Sequence, residues 1–166
     1  MGSLGPVSSR SARRALAAVV LGSQLACQEI TFRSARWEAA QAEVNRRYTL
    51  WKGSRPAHYE YRFNRQCECP ADLTKEVIVE VTDSTIVAVT YTDGSGAVPA
   101  SAFSSYFTVE GLFGQIQIAI NQLADSLRVE YDATLHYPRV IIGDLNVLVA
   151  DDELALYASE LVAKQE

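Results

Sequence analysis

The sequence predicts an α+β protein: one antiparallel sheet of about six strands, helices packed on one face, and the order α-β-β-β-α-β-β-β. Three observations predict it. Residues alternate apolar and polar in several short segments, the pattern of strands with one covered face. Apolar spacing of three and four residues is sustained in two longer segments, as in amphipathic helices. The strands come in runs joined by short turns, which favours hairpins over βαβ units.

The first helix is predicted over residues 34–51. Trp37, Val44, Tyr48 and Trp51 share one face with Ala40, Ser34 is the expected N-cap, and Gly53-Ser54-Arg55-Pro56 is the expected stop. A strand follows over residues 58–69. Tyr59, Tyr61, Phe63, Arg65, Cys67 and Cys69 fall on one side; Glu60, Arg62, Asn64, Gln66 and Glu68 fall on the other. Residues 76–82 and 85–92 form the next two strands, each with valines on one face, joined by the two-residue turn Asp83-Ser84. A polar loop runs from Asp93 to about Phe107.

Thr108 then caps the second helix, with Glu110 near its positive end. Val109, Leu112, Phe113, Ile116, Ile120 and Leu123 form its apolar stripe, and Gln115, Asn121 and Gln122 lie on the exposed side. Strands are expected over 126–132 and 137–144, with a turn at 133–136. Residues 153–162 fit either period: Leu154, Leu156 and Ala158 alternate, while Leu154, Tyr157 and Leu161 recur as on a helix. A final strand is expected there.

The 166 residues suffice for one domain and a short accessory segment. Apolar residues make up 48% of the chain, enough for a packed core, and the net charge of −5 with no basic stripe argues against nucleic acid as a partner. Arg10, Arg13 and Arg14 precede an apolar run over residues 15–25, with no acidic residue before Glu29. That run is shorter than the roughly 20 residues a membrane-spanning helix needs. A basic head, a short apolar stretch and a small residue are the order of a secretory signal. The expected organisation is a signal peptide over 1–26, a short linker over 27–33, and a single α+β domain over 34–166. Loss of the leader leaves 12 Lys and Arg against 20 Asp and Glu, a balance of −8.

Leu21-Gly22-Ser23-Gln24-Leu25-Ala26-Cys27 resembles a bacterial lipoprotein signal, in which Cys27 is acylated after cleavage before it. Such a modification anchors a protein stably, because more than one acyl chain is buried in the bilayer. The membrane, through that anchor, is therefore an expected partner, together with an envelope protein of unknown identity. A soluble secreted or periplasmic product is the alternative.

Several features lie in the order seen in an uncharacterised family of bacterial exported proteins. They are Trp51, Tyr59-x-Tyr61, Arg65-x-Cys67-x-Cys69-Pro70, the valine hairpin, Thr108-Val109-Glu110-x-Leu112-Phe113, Val129-x-Tyr131-Asp132, Tyr137-Pro138 and Asp151-Asp152-Glu153. Over about residues 45–162 the chain resembles this family, domain of unknown function 6174. One departure is His136, where a Gly is usual in the turn. The resemblance implies fold and an exported location, and no activity.

Cys67-x-Cys69 is the most chemically loaded motif. In an extended strand the two Cα atoms stand about 6.6 Å apart, near the upper limit for a disulfide, so bonding requires the strand to bend. A disulfide is the expected fate in an oxidising compartment. Metal ligation and thiol redox chemistry are the competing readings. Metal binding lacks further ligands at close spacing, since only His58 and His136 are available, and the redox reading lacks a C-x-x-C at a helix start. Asp144, Asp151, Asp152 and Glu153 have Leu148 and Val149 where a calcium loop needs oxygen donors, so a solvated turn is expected.

No Gly-x-Ser-x-Gly elbow, phosphate loop or dinucleotide fingerprint occurs. No catalytic residue, metal or cofactor is therefore expected. The expected role is a non-catalytic, lipid-anchored envelope domain acting in binding or assembly. One alternative is a metal- or thiol-dependent redox protein using Cys67 and Cys69. The other is a small-ligand binder or inhibitor using the Tyr-rich sheet face at Tyr59 and Tyr61.

Overall fold

The computed structural model describes residues 35–146, 148 and 153–165. The expected leader over 1–26, Cys27, the linker over 27–33, the Ser34 cap, and Asp151 and Asp152 of the acidic cluster lie outside the described residues. The chain divides into two compact units, Met1–Ala39 and Ala40–Glu166. In the first, residues 35–39 are helical and Trp37 is buried. No described helix is long and apolar enough to cross a membrane.

The second unit opens with helical residues 40–54, here α1. The helix passes through Gly53, where a stop was expected. Arg55 N–H still donates to the Trp51 carbonyl at 2.8 Å, and Pro56 ends the helix because it lacks an N–H and disfavours helical geometry in the residue before it. Val44 and Trp51 are buried on its inner face.

Strand β1 spans His58–Gln66, with Tyr59, Tyr61 and Phe63 buried on alternate positions. It is shorter than expected. Its ladder with β6 runs out at Gln66↔Ala155, and the cysteines follow in a bent loop. Pro70 then caps a single helical turn, α2 (Ala71–Thr74), that no periodicity announced. Strands β2 (Val77–Thr82) and β3 (Thr85–Tyr91) form the expected hairpin. Asp83 and Ser84 have φ of 47° and 67°, the left-handed pair of a type I′ turn, whose twist matches that of the strands. The following loop folds back on β3 through a Thr90↔Ala97 bridge and contains a 3-10 segment, Ala100–Ser105.

Helix α3 (Val109–Asn121) starts as expected: the Thr108 side chain accepts from Gly111 N–H, and Val109, Leu112, Phe113, Ile116 and Ile120 are buried. Strands β4 (Ser126–Tyr131), β5 (Pro138–Asp144) and β6 (Glu153–Ala163) complete the fold, the last resolving the ambiguous segment as a strand. The six strands form one sheet in the order β3-β2-β1-β6-β5-β4, every neighbour antiparallel. The first and last strands thus meet at its centre. One face is covered: Tyr59, Val79, Val89, Ile141 and Leu156 are buried there beneath the helices. The opposite face of β1 carries His58, Glu60, Arg62 and Asn64, all half-buried or more exposed.

Candidate functional site

The two helices on the covered side of the sheet leave a concavity between them. It lies between α1 and α3, encloses about 220 Å³, and is lined by Val44, Asn45, Tyr48, Glu110, Phe113, Gly114 and Gln117. The sequence places each lining residue locally. Val44 and Tyr48 are four apart on α1, Phe113 and Gln117 four apart on α3, and Gly114 presents no side chain, so the helices leave a gap there.

Glu110 stands at one end of this groove. As the second residue of α3 it sits where the helix dipole favours a carboxylate. Its Oε1 accepts from Trp51 Nε1 at 3.1 Å and from Arg55 Nη1 at 2.6 Å, while its buried Oε2 has no partner among the described residues. Arg55 also donates to Ser84 Oγ at 2.5 Å, so one guanidinium joins the end of α1, the β2–β3 turn and the start of α3.

The other end is closed by carboxamides. Gln41 and Gln117 exchange hydrogen bonds at 2.8 and 2.7 Å, Gln41 donates to Asn45 at 3.0 Å, and Gln117 donates to Asn121 at 2.8 Å. Glu110 and this amide strap were not identified as site residues from sequence. Their signal was weak: a polar residue at helical spacing beside an apolar stripe reads as a solvated one. Chemically the groove suits an apolar group that carries an N–H or O–H donor toward Glu110.

Tyr59 and Tyr61, expected to offer a ligand face, are instead core residues, 0% and 1% exposed. Alternation puts them on the covered side, and the helices cover it. The Tyr59 hydroxyl accepts from Val109 N–H at 3.2 Å, and the Tyr61 hydroxyl donates to the Phe107 carbonyl, so both support the start of α3. Burial pushes both phenols well above their usual pKa. The sheet's open face carries ions rather than tyrosines from β1. There His58 Nε2 lies 2.8 Å from Glu80, Lys164 bridges Glu60 and Glu80 at 3.0 and 3.1 Å, and Arg62 pairs with Glu76 and Glu160 at 2.8 Å each. The His58 contact is the main cause holding the Glu80 carboxyl below its usual pKa.

Cys67 and Cys69 form a close pair, with Cα atoms 5.3 Å apart and sulfurs at bonding distance. The bend after β1 brings them nearer than an extended strand would. Cys67 is exposed. Close by in sequence, the Arg65 guanidinium packs against the rings of Phe63, Tyr106 and Phe107 at 5.2–5.6 Å. Its Nη2 donates to the Ser105 carbonyl, and desolvation lowers its pKa. His136, the departure from the expected Gly, has φ of 66° and its Nδ1 lies 3.1 Å from Arg47 Nη1. No group of three or more His, Cys, Asp or Glu among the described residues could hold a metal ion.

No curated protein and no solved structure matches the chain. A family model does, over residues 43–163, a span that takes in most of α1, the groove, the cysteine pair and all six strands. The chain belongs to DUF6174, a family of unknown function.

Proposed function

We propose that this domain is a non-catalytic binding module of an exported protein, held at the cell envelope by a lipid on Cys27, with the α1–α3 groove as its ligand-facing site. The observation that carries the reading is the close Cys67–Cys69 pair in the loop just beyond β1, with Cys67 exposed. Thiols so accessible are kept reduced in a cytosol and pair in an oxidising compartment. The basic and apolar leader ahead of Cys27 supports the same location. Phe113, Tyr48 and Val44 give the groove an apolar floor, and Glu110 and the carboxamides give it orienting polar groups.

The test is the intact mass of the protein recovered from the membrane fraction of its native host. The expected species starts at Cys27, carries acyl chains, and is two hydrogens lighter than the dithiol. A full chain in the soluble cytosolic fraction with free thiols would overturn the proposal.

A second reading is thiol–disulfide exchange at Cys67 and Cys69, favoured by the exposure of Cys67. Equilibration against glutathione redox buffers decides it. A pair that stays oxidised at every physiological poise is structural.

A further inference from the structure

The geometry points to a second copy of this chain as the partner of β4, through antiparallel pairing of the two β4 edges into one continuous sheet. The two edges of the sheet differ. At β3 the backbone is partly taken, because Val98 N–H donates to Val89 O at 2.8 Å and Tyr91 N–H donates to Gly96 O at 3.0 Å. At the other edge, among the described residues, β4 pairs with β5 alone. The register shift in that pair, between Glu130 and Tyr131, skips Arg139 on the β5 side, so Ser126–Tyr131 stays a regular strand. Unpaired N–H and C=O groups on a regular edge are a template for another strand.

The side chains of β4 are complementary to themselves in one register. Successive residues alternate between faces, so a two-fold pairing must run through a residue rather than between two. An axis through Val129 sets Arg128 of each copy opposite Glu130 of the other, twice, on the open face. On the covered face it sets Val129 against Val129 and Leu127 against Tyr131, all half-buried in the isolated chain. An axis through Arg128 would oppose two arginines, and one through Glu130 two glutamates. Directly opposite like charges disfavour a strand pair, and opposite charges favour it. In the single chain Arg128 and Glu130 pair with each other, both largely exposed, and are free to exchange that contact for the cross-strand one.

A six-residue edge is short, so the dimer belongs to the weak, reversible class that buries less than about 1,200 Å². Sedimentation velocity over a concentration series, on the full chain carrying Cys27→Ser to remove any acyl anchor, tests this. The expected result is a concentration-dependent monomer–dimer equilibrium. Arg128→Glu and Glu130→Arg should each raise its dissociation constant roughly tenfold or more, since two attractive pairs become repulsive. Mixing the two variants should restore association, because each then supplies the charges the other lacks. A wild-type chain that is monomeric at every concentration overturns the inference, leaving the edge to a strand of some other protein. So does a dimer indifferent to both reversals, or variants that do not associate when mixed.

Discussion

At the scale of single residues, two positions carry most of the testable chemistry. Glu110 binds the indole of Trp51, a side chain with no exposed surface, and the guanidinium of Arg55. The Arg55 ion pair is part-exposed and adds little by itself. Leaving the indole N–H unsatisfied is the larger effect, so Glu110→Ala should cost about 1–3 kcal/mol. Urea unfolding measures it, and an unchanged midpoint would show that the indole finds water instead. His136 sits at φ 66°, where a side chain costs about 1–2 kcal/mol and Gly costs only its extra unfolded-state entropy of about 0.5–1. Arg47 is already held by Glu43 at 2.7 Å, so losing its His136 contact matters less. His136→Gly should therefore raise the unfolding free energy by about 0.5–1 kcal/mol, read as a higher urea midpoint. A fall would mean that the Arg47 contact outweighs the backbone strain.

At the scale of elements, β1 and its cysteine loop separate what sequence can show from what it cannot. The alternation of Tyr59, Tyr61 and Phe63 is local and marks the strand directly. Its end is not local: β1 stops where its ladder with β6 ends, at Gln66↔Ala155, a register fixed some ninety residues away. The α3 stripe was legible for the same local reason as β1. Segment 153–163 was not, because its apolar residues fit both periods, and pairing with β1 and β5 on either side settles it as a central strand. The groove was the least legible feature. Gln41 and Gln117 meet across 76 positions, and nothing in either helix marks its amide for the other. The cysteine pair also has an element-scale consequence. It cross-links residues two apart, and by loop-closure entropy so short a loop contributes only about 1.5 kcal/mol. Reduction should leave the sheet folded and lower the melting temperature by a few degrees. Cooperative unfolding on reduction at room temperature would show that the pair clamps more than its own loop.

At the scale of the whole molecule, the aromatic core couples stability to alkaline pH. Tyr59 and Tyr61 lie on the covered face, and Tyr131 is half-buried, stacked on Phe113 with ring centroids 6.1 Å apart. Burial raises all three phenols, Tyr131 to about 12 and the other two well beyond their usual 10. An acid whose pKa is raised on folding holds its proton in the folded chain while the unfolded chain gives it up. Stability is thus unaffected below pH 10 and declines above it, because from there only the unfolded state is ionised, and the loss continues toward the folded-state values. The tyrosinate absorbance of the protein should include a late rise, well above pH 10, in which Tyr59, Tyr61 and Tyr131 ionise together with the collapse of the near-ultraviolet circular dichroism. Burial and Tyr61 give this step its cooperativity, since ionising Tyr61 removes the proton its hydroxyl donates to the Phe107 carbonyl just ahead of α3 and places a charge in the core. Ionisation of all eight tyrosines in one smooth curve, with the dichroism intact, would contradict the burial that organises the fold.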